Sequence, residues 1–139
     1  MDGVDPADEP LADFLLARIA EDEAAARGAT AGPWRWYPGR AGLPAFLEST
    51  GARSTHWVEG QSFSSPTVVL GTNQGVMLRV RGRDAEHIAA WHPTRVRAEC
   101  AAKRVVIDAV TGGSLPAEVL RALGVPYAEH PDYRPEWGV

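Results

Sequence analysis

With 139 residues, 45% hydrophobic and 23% charged, the chain has the size and composition of one soluble globular domain. The net charge of −4, the acidic start Met1-Asp-Gly-Val-Asp-Pro-Ala-Asp-Glu9 and the lack of an apolar run near roughly 18 residues argue against a secretion signal and a membrane span. Cys100 is the only cysteine, which rules out an internal disulfide and suits a reducing compartment, so the expected location is the cytoplasm.

Residues 1–8 carry no periodicity and are expected to form a loose end, with 9–139 as a single α+β domain. Asp8 suits the N-cap of a helix whose first turn tolerates Pro10. Leu11, Phe14, Leu15, Ile19 and Ala26 recur at three- and four-residue spacing, which predicts an amphipathic helix to about Arg27, stopped by Gly28. Residues 1–26 hold eight acids against Arg18 alone, so this helix is strongly acidic. Next, Trp34 and Trp36 alternate with Arg35 and Tyr37, a strand period that puts both indoles on one face. Residues 38–54 read as a long loop with a helical turn around Ala45-Phe-Leu-Glu48. Thr55–Glu59, Thr67–Leu70 and Val76–Arg81 are strand candidates, the last two joined into a hairpin by Gly71-Thr-Asn-Gln-Gly75. In Val76–Arg81, the residues Val76, Leu78 and Val80 face one way and Met77, Arg79 and Arg81 the other. An antiparallel sheet of three or four strands with one solvated face follows.

Helices resume at Asp84, an N-cap candidate, and run to Trp91, where His92-Pro93 interrupts because the residue before proline is pushed out of the helical region. Pro93 suits the first turn of a long helix to about Val110. That helix shows two apolar sides, Val96, Cys100, Ile107 and Val110 on one, Ala98, Ala101, Ala102, Val105 and Ala109 on the other. It is therefore expected to lie wedged between the sheet and the first helix, with Glu99/Lys103 and Arg104/Asp108 as exposed i,i+4 pairs. After Gly112-Gly113, Ser114 opens a short last helix with Leu115, Val119 and Leu123 inward. Val125–Trp137 holds three prolines and three aromatics in thirteen residues, too aromatic for a free tail and too rich in proline for a helix. It is expected to be an extended strap over the domain, with a docking peptide for a partner as the alternative.

Three ordered motifs carry a family resemblance. Glu21-Asp22-Glu23 precedes Thr30-Ala-Gly-Pro-Trp34; Ala85-Glu-His-Ile-Ala89 precedes His92-Pro93 and Lys103-Arg104; the chain closes on Pro126-Tyr-Ala-Glu-His-Pro-Asp-Tyr-Arg-Pro-Glu-Trp137. The chain resembles an uncharacterised family of small actinobacterial and actinophage proteins, classed as a domain of unknown function. The resemblance implies no activity. Related chains carry Cys and His before the C-terminal motif, whereas Thr111–Pro116 here has neither, so the resemblance brings no metal site with it.

His56, His87, His92 and His130 never stand at i,i+4, and one cysteine cannot build a thiolate zinc site, so neither a metal nor a cofactor is expected. Arg81 and His87 match a spacing used in some nucleases, but a chain with 13 arginines meets it by accident. Cys100 falls on an apolar helix face and reads as a small hydrophobe. No Gly-x-Ser-x-Gly elbow or phosphate-cradling glycine loop occurs. No catalytic residue is expected.

Arg79, Arg81 and Arg83 alternate and would share a strand face, with His87, His92 and Arg95 following in sequence. These six are the candidate binding residues, a basic platform for nucleic acid if not a solvated face balanced by the acidic first helix. The function expected is a non-enzymatic cytoplasmic adaptor or modulator that binds a protein partner. Nucleic-acid binding through the arginine face is the alternative, a nuclease or other enzyme the third choice. Homodimerisation is compatible with the sequence, and membrane association is not expected.

Overall fold

The stripe of Leu11, Phe14, Leu15 and Ile19 is the buried face of the first helix, α1 (Glu9–Gly28), in the computed structural model, which describes residues 8–42, 44–71 and 80–139. The chain forms two compact units, a helical one of Met1–Ala24 with Ala98–Val139, and a sheet unit of Ala25–Arg97. Among the described residues no helix is long and apolar enough to cross a membrane.

In the helical unit α3 (Pro93–Thr111) buries Cys100, Ile107 and Val110. Arg104 of α3 donates two hydrogen bonds to Glu23 of α1, at 3.0 and 2.9 Å, so its partner is Glu23. The second apolar side expected of α3 is not buried: Ala98, Ala101, Ala102 and Val105 face solvent. Exposed alanine methyls cost little, so an alanine stripe is weak evidence for a second packing partner. In α4 (Glu118–Gly124) it is Leu120 and Gly124 that are buried, while Leu115 stays exposed ahead of the helix.

The C-terminal segment is not extended. Val125–Tyr127 and Pro135–Trp137 are 3-10 turns, linked by further turns in which His130 N–H bonds the Tyr127 carbonyl and Tyr133 N–H the His130 carbonyl, both at 2.9 Å. Proline's fixed φ suits the start of such turns, and Pro126 and Pro135 occupy those positions. The segment does strap onto the helical unit: the rings of Tyr127, His130, Tyr133 and Trp137 surround Phe14 of α1 at centroid distances of 5.1 to 6.4 Å.

The sheet unit is an antiparallel meander, β1 (Trp34–Tyr37), β2 (Phe46–Val58) and β3 (Gln61–Leu70), in the order β1-β2-β3. Residues 46–58, expected as loop and one short strand, form one long strand. β1 pairs only with its first residues, from Trp34↔Ser49 to Tyr37↔Phe46. Trp34 and Trp36 thus stand opposite buried Ser49 and Leu47, and the Trp34 indole donates to the Thr30 carbonyl at 3.0 Å. α2 (Gly82–Ala90) packs on β1 and buries Ala85. The hairpin expected between Thr67–Leu70 and Val76–Arg81 involves residues 72–79, which lie outside the described residues, as do residues 1–7 of the expected loose end.

At Ser49 the β2–β3 register breaks, shifting between Leu47, Glu48 and Arg53. Such a bulge leaves backbone groups unpaired, and here the buried Ser49 hydroxyl serves them. It accepts from the N–H groups of Gly51 and Ala52, at 3.1 and 2.8 Å, and donates to the Ala31 carbonyl. Thr50 N–H closes the bulge onto the Pro33 carbonyl at 2.8 Å. A Cβ on Gly51 would lie 2.2 Å from the Gly32 carbonyl oxygen, so this approach of two backbones admits glycine alone.

Candidate functional site

Beyond the bulge, residues 53–58 of β2 pair with 61–66 of β3 as a two-stranded ribbon. Its turn is Glu59-Gly60, both at positive φ (50° and 77°), the two-residue geometry whose twist matches a right-twisted hairpin. Strand alternation places Ser54, His56 and Val58 on one face with Gln61, Phe63 and Ser65, and Arg53, Thr55 and Trp57 on the other with Ser62 and Ser64. Trp57 is 73% exposed, Val58 57% and Phe63 52%. Polar bonds across the strands hold the ribbon in shape. Arg53 donates to the Ser64 hydroxyl and carbonyl, both at 2.8 Å, His56 and Ser65 bond at 2.9 Å, and Ser54 and Thr67 at 2.8 Å. Apart from His56, residues 53–66 contain one base, Arg53, and one acid, Glu59. At the start of β2, Tyr37 and Phe46 stack at 4.8 Å beside a pocket of about 400 Å³, where Arg35 engages the buried Glu48 carboxylate at 3.2 Å.

The residues singled out from the sequence fall mainly at the corner between α2 and α3. Arg79 lies outside the described residues. Arg81 and Arg83 do not share a strand face: Arg81 has extended backbone at the N-cap of α2, and Arg83 sits in its first turn. The physical reason is that Gly82-Arg-Asp opens a helix, so the two-residue alternation of arginines ends at Arg81. His87 lies 6.2 Å from the Trp91 ring, and the Arg95 guanidinium covers Trp91 at 4.2 Å while donating to the Ala90 carbonyl at 3.3 Å. His92 caps α3, its Nδ1 accepting from Arg95 N–H at 3.3 Å. The structure therefore brings His87 and Arg95 together on Trp91, with His92 at the N-cap of α3 and Arg83 one helical turn before His87. The sequence reading missed the ribbon, for which the signal was the Gly60 turn between runs of Ser, Thr and aromatic residues.

The helical unit holds a different cluster. Tyr127 donates to Asp22 at 2.7 Å and accepts from Lys103 at 3.3 Å. Burial, then the bond to Asp22, pushes its phenol well above the ordinary range. Burial, then Asp22 and Glu23, likewise raises the Cys100 thiol. Both shifts run against a nucleophilic role at neutral pH. Arg18 donates to the His130 ring and to Glu21 at 2.8 Å, and its buried Nε has no partner. Among the described residues no group of three His, Cys, Asp or Glu could hold a metal.

The raised phenol makes a testable statement about stability. A group whose folded pKa lies above its unfolded value stabilises the fold below the unfolded value and loses that contribution as pH rises past it. Urea midpoints should therefore fall as pH climbs through about 10, the ordinary tyrosine value. Tyr127→Phe should show a shallower fall. Parallel profiles for the two proteins would place the sensitivity elsewhere.

Charge separates the units. Ala25–Arg97 contains nine arginines and four carboxylates, net +5, whereas the helical unit contains five bases and fourteen acids, net −9. The overall −4 thus conceals a basic sheet unit that carries both the ribbon and the α2–α3 corner. The model of a family of unknown function (DUF6221) matches residues 8–139, and the chain belongs to that family. No curated protein and no solved structure matches it.

Proposed function

We propose that this member of a family of unknown function is a non-enzymatic binding module that docks a protein partner with its β2–β3 ribbon. The observation that carries the reading is the exposure of Trp57, Val58 and Phe63 on an arm with almost no charge. Interface cores are enriched in aromatic residues and depleted of charged ones, and a few large side chains supply most of the binding energy. The cross-strand bonds of Arg53, Ser54 and His56 fix the arm before it binds, which lowers the entropy lost on association. The buried Cys100 thiol supports a reducing cytoplasm as the working compartment. The motif resemblance supports an actinobacterial or phage setting.

The test compares the tagged protein with a Trp57→Ser/Phe63→Ser variant in affinity capture from the organism's own lysate. Exposed positions change stability by no more than about 0.5 kcal/mol, so the variant should melt as the parent does. A partner recovered in stoichiometric amount by the parent should be lost by the variant. Identical captured sets from two equally stable proteins would overturn the reading.

A further inference from the structure

The α2–α3 corner has a chemistry unlike the ribbon's, and the two surfaces share no residue. Arg83, His87, Trp91 and Arg95 stand four residues apart, a spacing that puts the first two on one face of α2 and carries on through the Trp91 cap into α3. The structure closes this series with ring contacts, His87 to Trp91 at 6.2 Å and Arg95 over Trp91 at 4.2 Å. Trp91 remains 46% exposed despite both neighbours, and Arg83, His87 and Arg95 are exposed as well. Alongside, Arg27, Thr94 and Arg97 line an open pocket of about 270 Å³ whose other walls are alanines, Gly32 and Pro93. Two arginines and a threonine are its polar lining residues, and no acidic residue lines it. Asp84 and Glu86 of α2 fall off the four-residue series, which Glu99 of α3 continues, and residues 81–99 hold four arginines against three acids.

Each half of this arrangement selects a different part of one ligand. A pocket with two arginines and a hydroxyl suits a phosphate, because guanidinium forks match its oxygens. Tryptophan stiffened by a stacked guanidinium offers planar surface to an unpaired base, and such stacking is tolerant of base identity. An acidic peptide would satisfy the arginines and leave the aromatic surface unused; a duplex would satisfy the arginines and keep its bases stacked away. We infer that the α2–α3 corner binds single-stranded nucleic acid, with a phosphate held by Arg27, Thr94 and Arg97 and a base laid against the Trp91–Arg95 stack.

The experiment is fluorescence anisotropy of labelled single strands of about 20 nucleotides titrated with the full chain at low salt, near 50 mM. Comparison ligands are the same-length duplex, an abasic backbone of equal charge and poly-glutamate. Single strands should bind best and should quench tryptophan emission. Raising salt to about 200 mM should weaken them steeply through counterion release. Trp91→Ala should lower affinity by roughly 5- to 100-fold, the worth of one stacked base, while Trp91→Phe restores much of it. Arg27→Gln with Arg97→Gln should reduce the logarithmic salt slope by about 0.7, the contribution of one phosphate of a single strand, and leave preference for bases over abasic backbone intact. Circular dichroism of each variant separates lost binding from lost fold. No anisotropy change at low salt, or equal binding of the abasic strand or poly-glutamate, overturns the inference. Tighter binding of the duplex overturns it too. None of these outcomes bears on the ribbon, whose test uses different residues and a different readout.

Discussion

Trp137→Ala is expected to lower the melting temperature by about 10–20 °C. Trp137 is 6% exposed and packs on Phe14 at 5.1 Å and on Tyr133 at 5.6 Å, the latter edge-on. Truncating a buried tryptophan typically costs about 3–5 kcal/mol, because the lost transfer energy is joined by the cavity left behind. At this chain length each kcal/mol moves the midpoint by about 3–5 °C. Trp57→Ala serves as the matched comparison: the same atoms are removed from a site 73% exposed, where a change within about 0.5 kcal/mol is expected. Calorimetric scans of the two variants decide the matter. Equal shifts would mean that the C-terminal turns are not part of the helical core, and removing residues 126–139 would then leave the melt unchanged.

Gly51→Ala is expected to cost about 3 kcal/mol, at the upper end of overpacking penalties, although it adds a single methyl group. The new Cβ would sit 2.2 Å from the Gly32 carbonyl, and backbone on both sides leaves no flexible side chain to give way. Relief requires β2 to move off the segment before β1, which breaks the Ser49 hydroxyl bond to the Ala31 carbonyl and the Thr50 N–H bond to the Pro33 carbonyl. Urea titration of Gly51→Ala beside the exposed exchange Ala52→Gly measures it. A loss below about 1 kcal/mol, the range for tolerated glycine exchanges, would show that the bulge relaxes freely.

The two variants also mark where the sequence could and could not be read. α1 was legible because five apolar residues at helical spacing leave one solution, and the same residues form its buried stripe. The α2–α3 break was legible because His92-Pro93 dictates it locally. β2 was not, because its first half is punctuated by Ser, Thr and Gly51, whose role depends on a carbonyl far away in sequence. The turn Glu59-Gly60 lacks the Asn or Asp that flags such hairpins, so the ribbon left no strong local mark. The arginine face failed for a different reason. Alternation at Arg79, Arg81 and Arg83 satisfies a strand period, yet Arg83 also begins a four-residue series through His87, Trp91 and Arg95, and the helix claimed it. The whole-chain charge hides the division between units, since −4 is the sum of a basic unit at +5 and an acidic one at −9.

The solitary thiol in the helical core has a practical use. Cys100 is 1% exposed, faces Asp22 and Glu23, and is held protonated by its surroundings. A thiol reagent can reach it only when α1 and α3 part, since the thiolate is the reacting form and the site is closed to solvent. With no second cysteine to compete, the rate of modification under native conditions clocks the opening of the helical unit alone. The chain thereby carries an intrinsic stopwatch for one half of itself, readable without any engineered label.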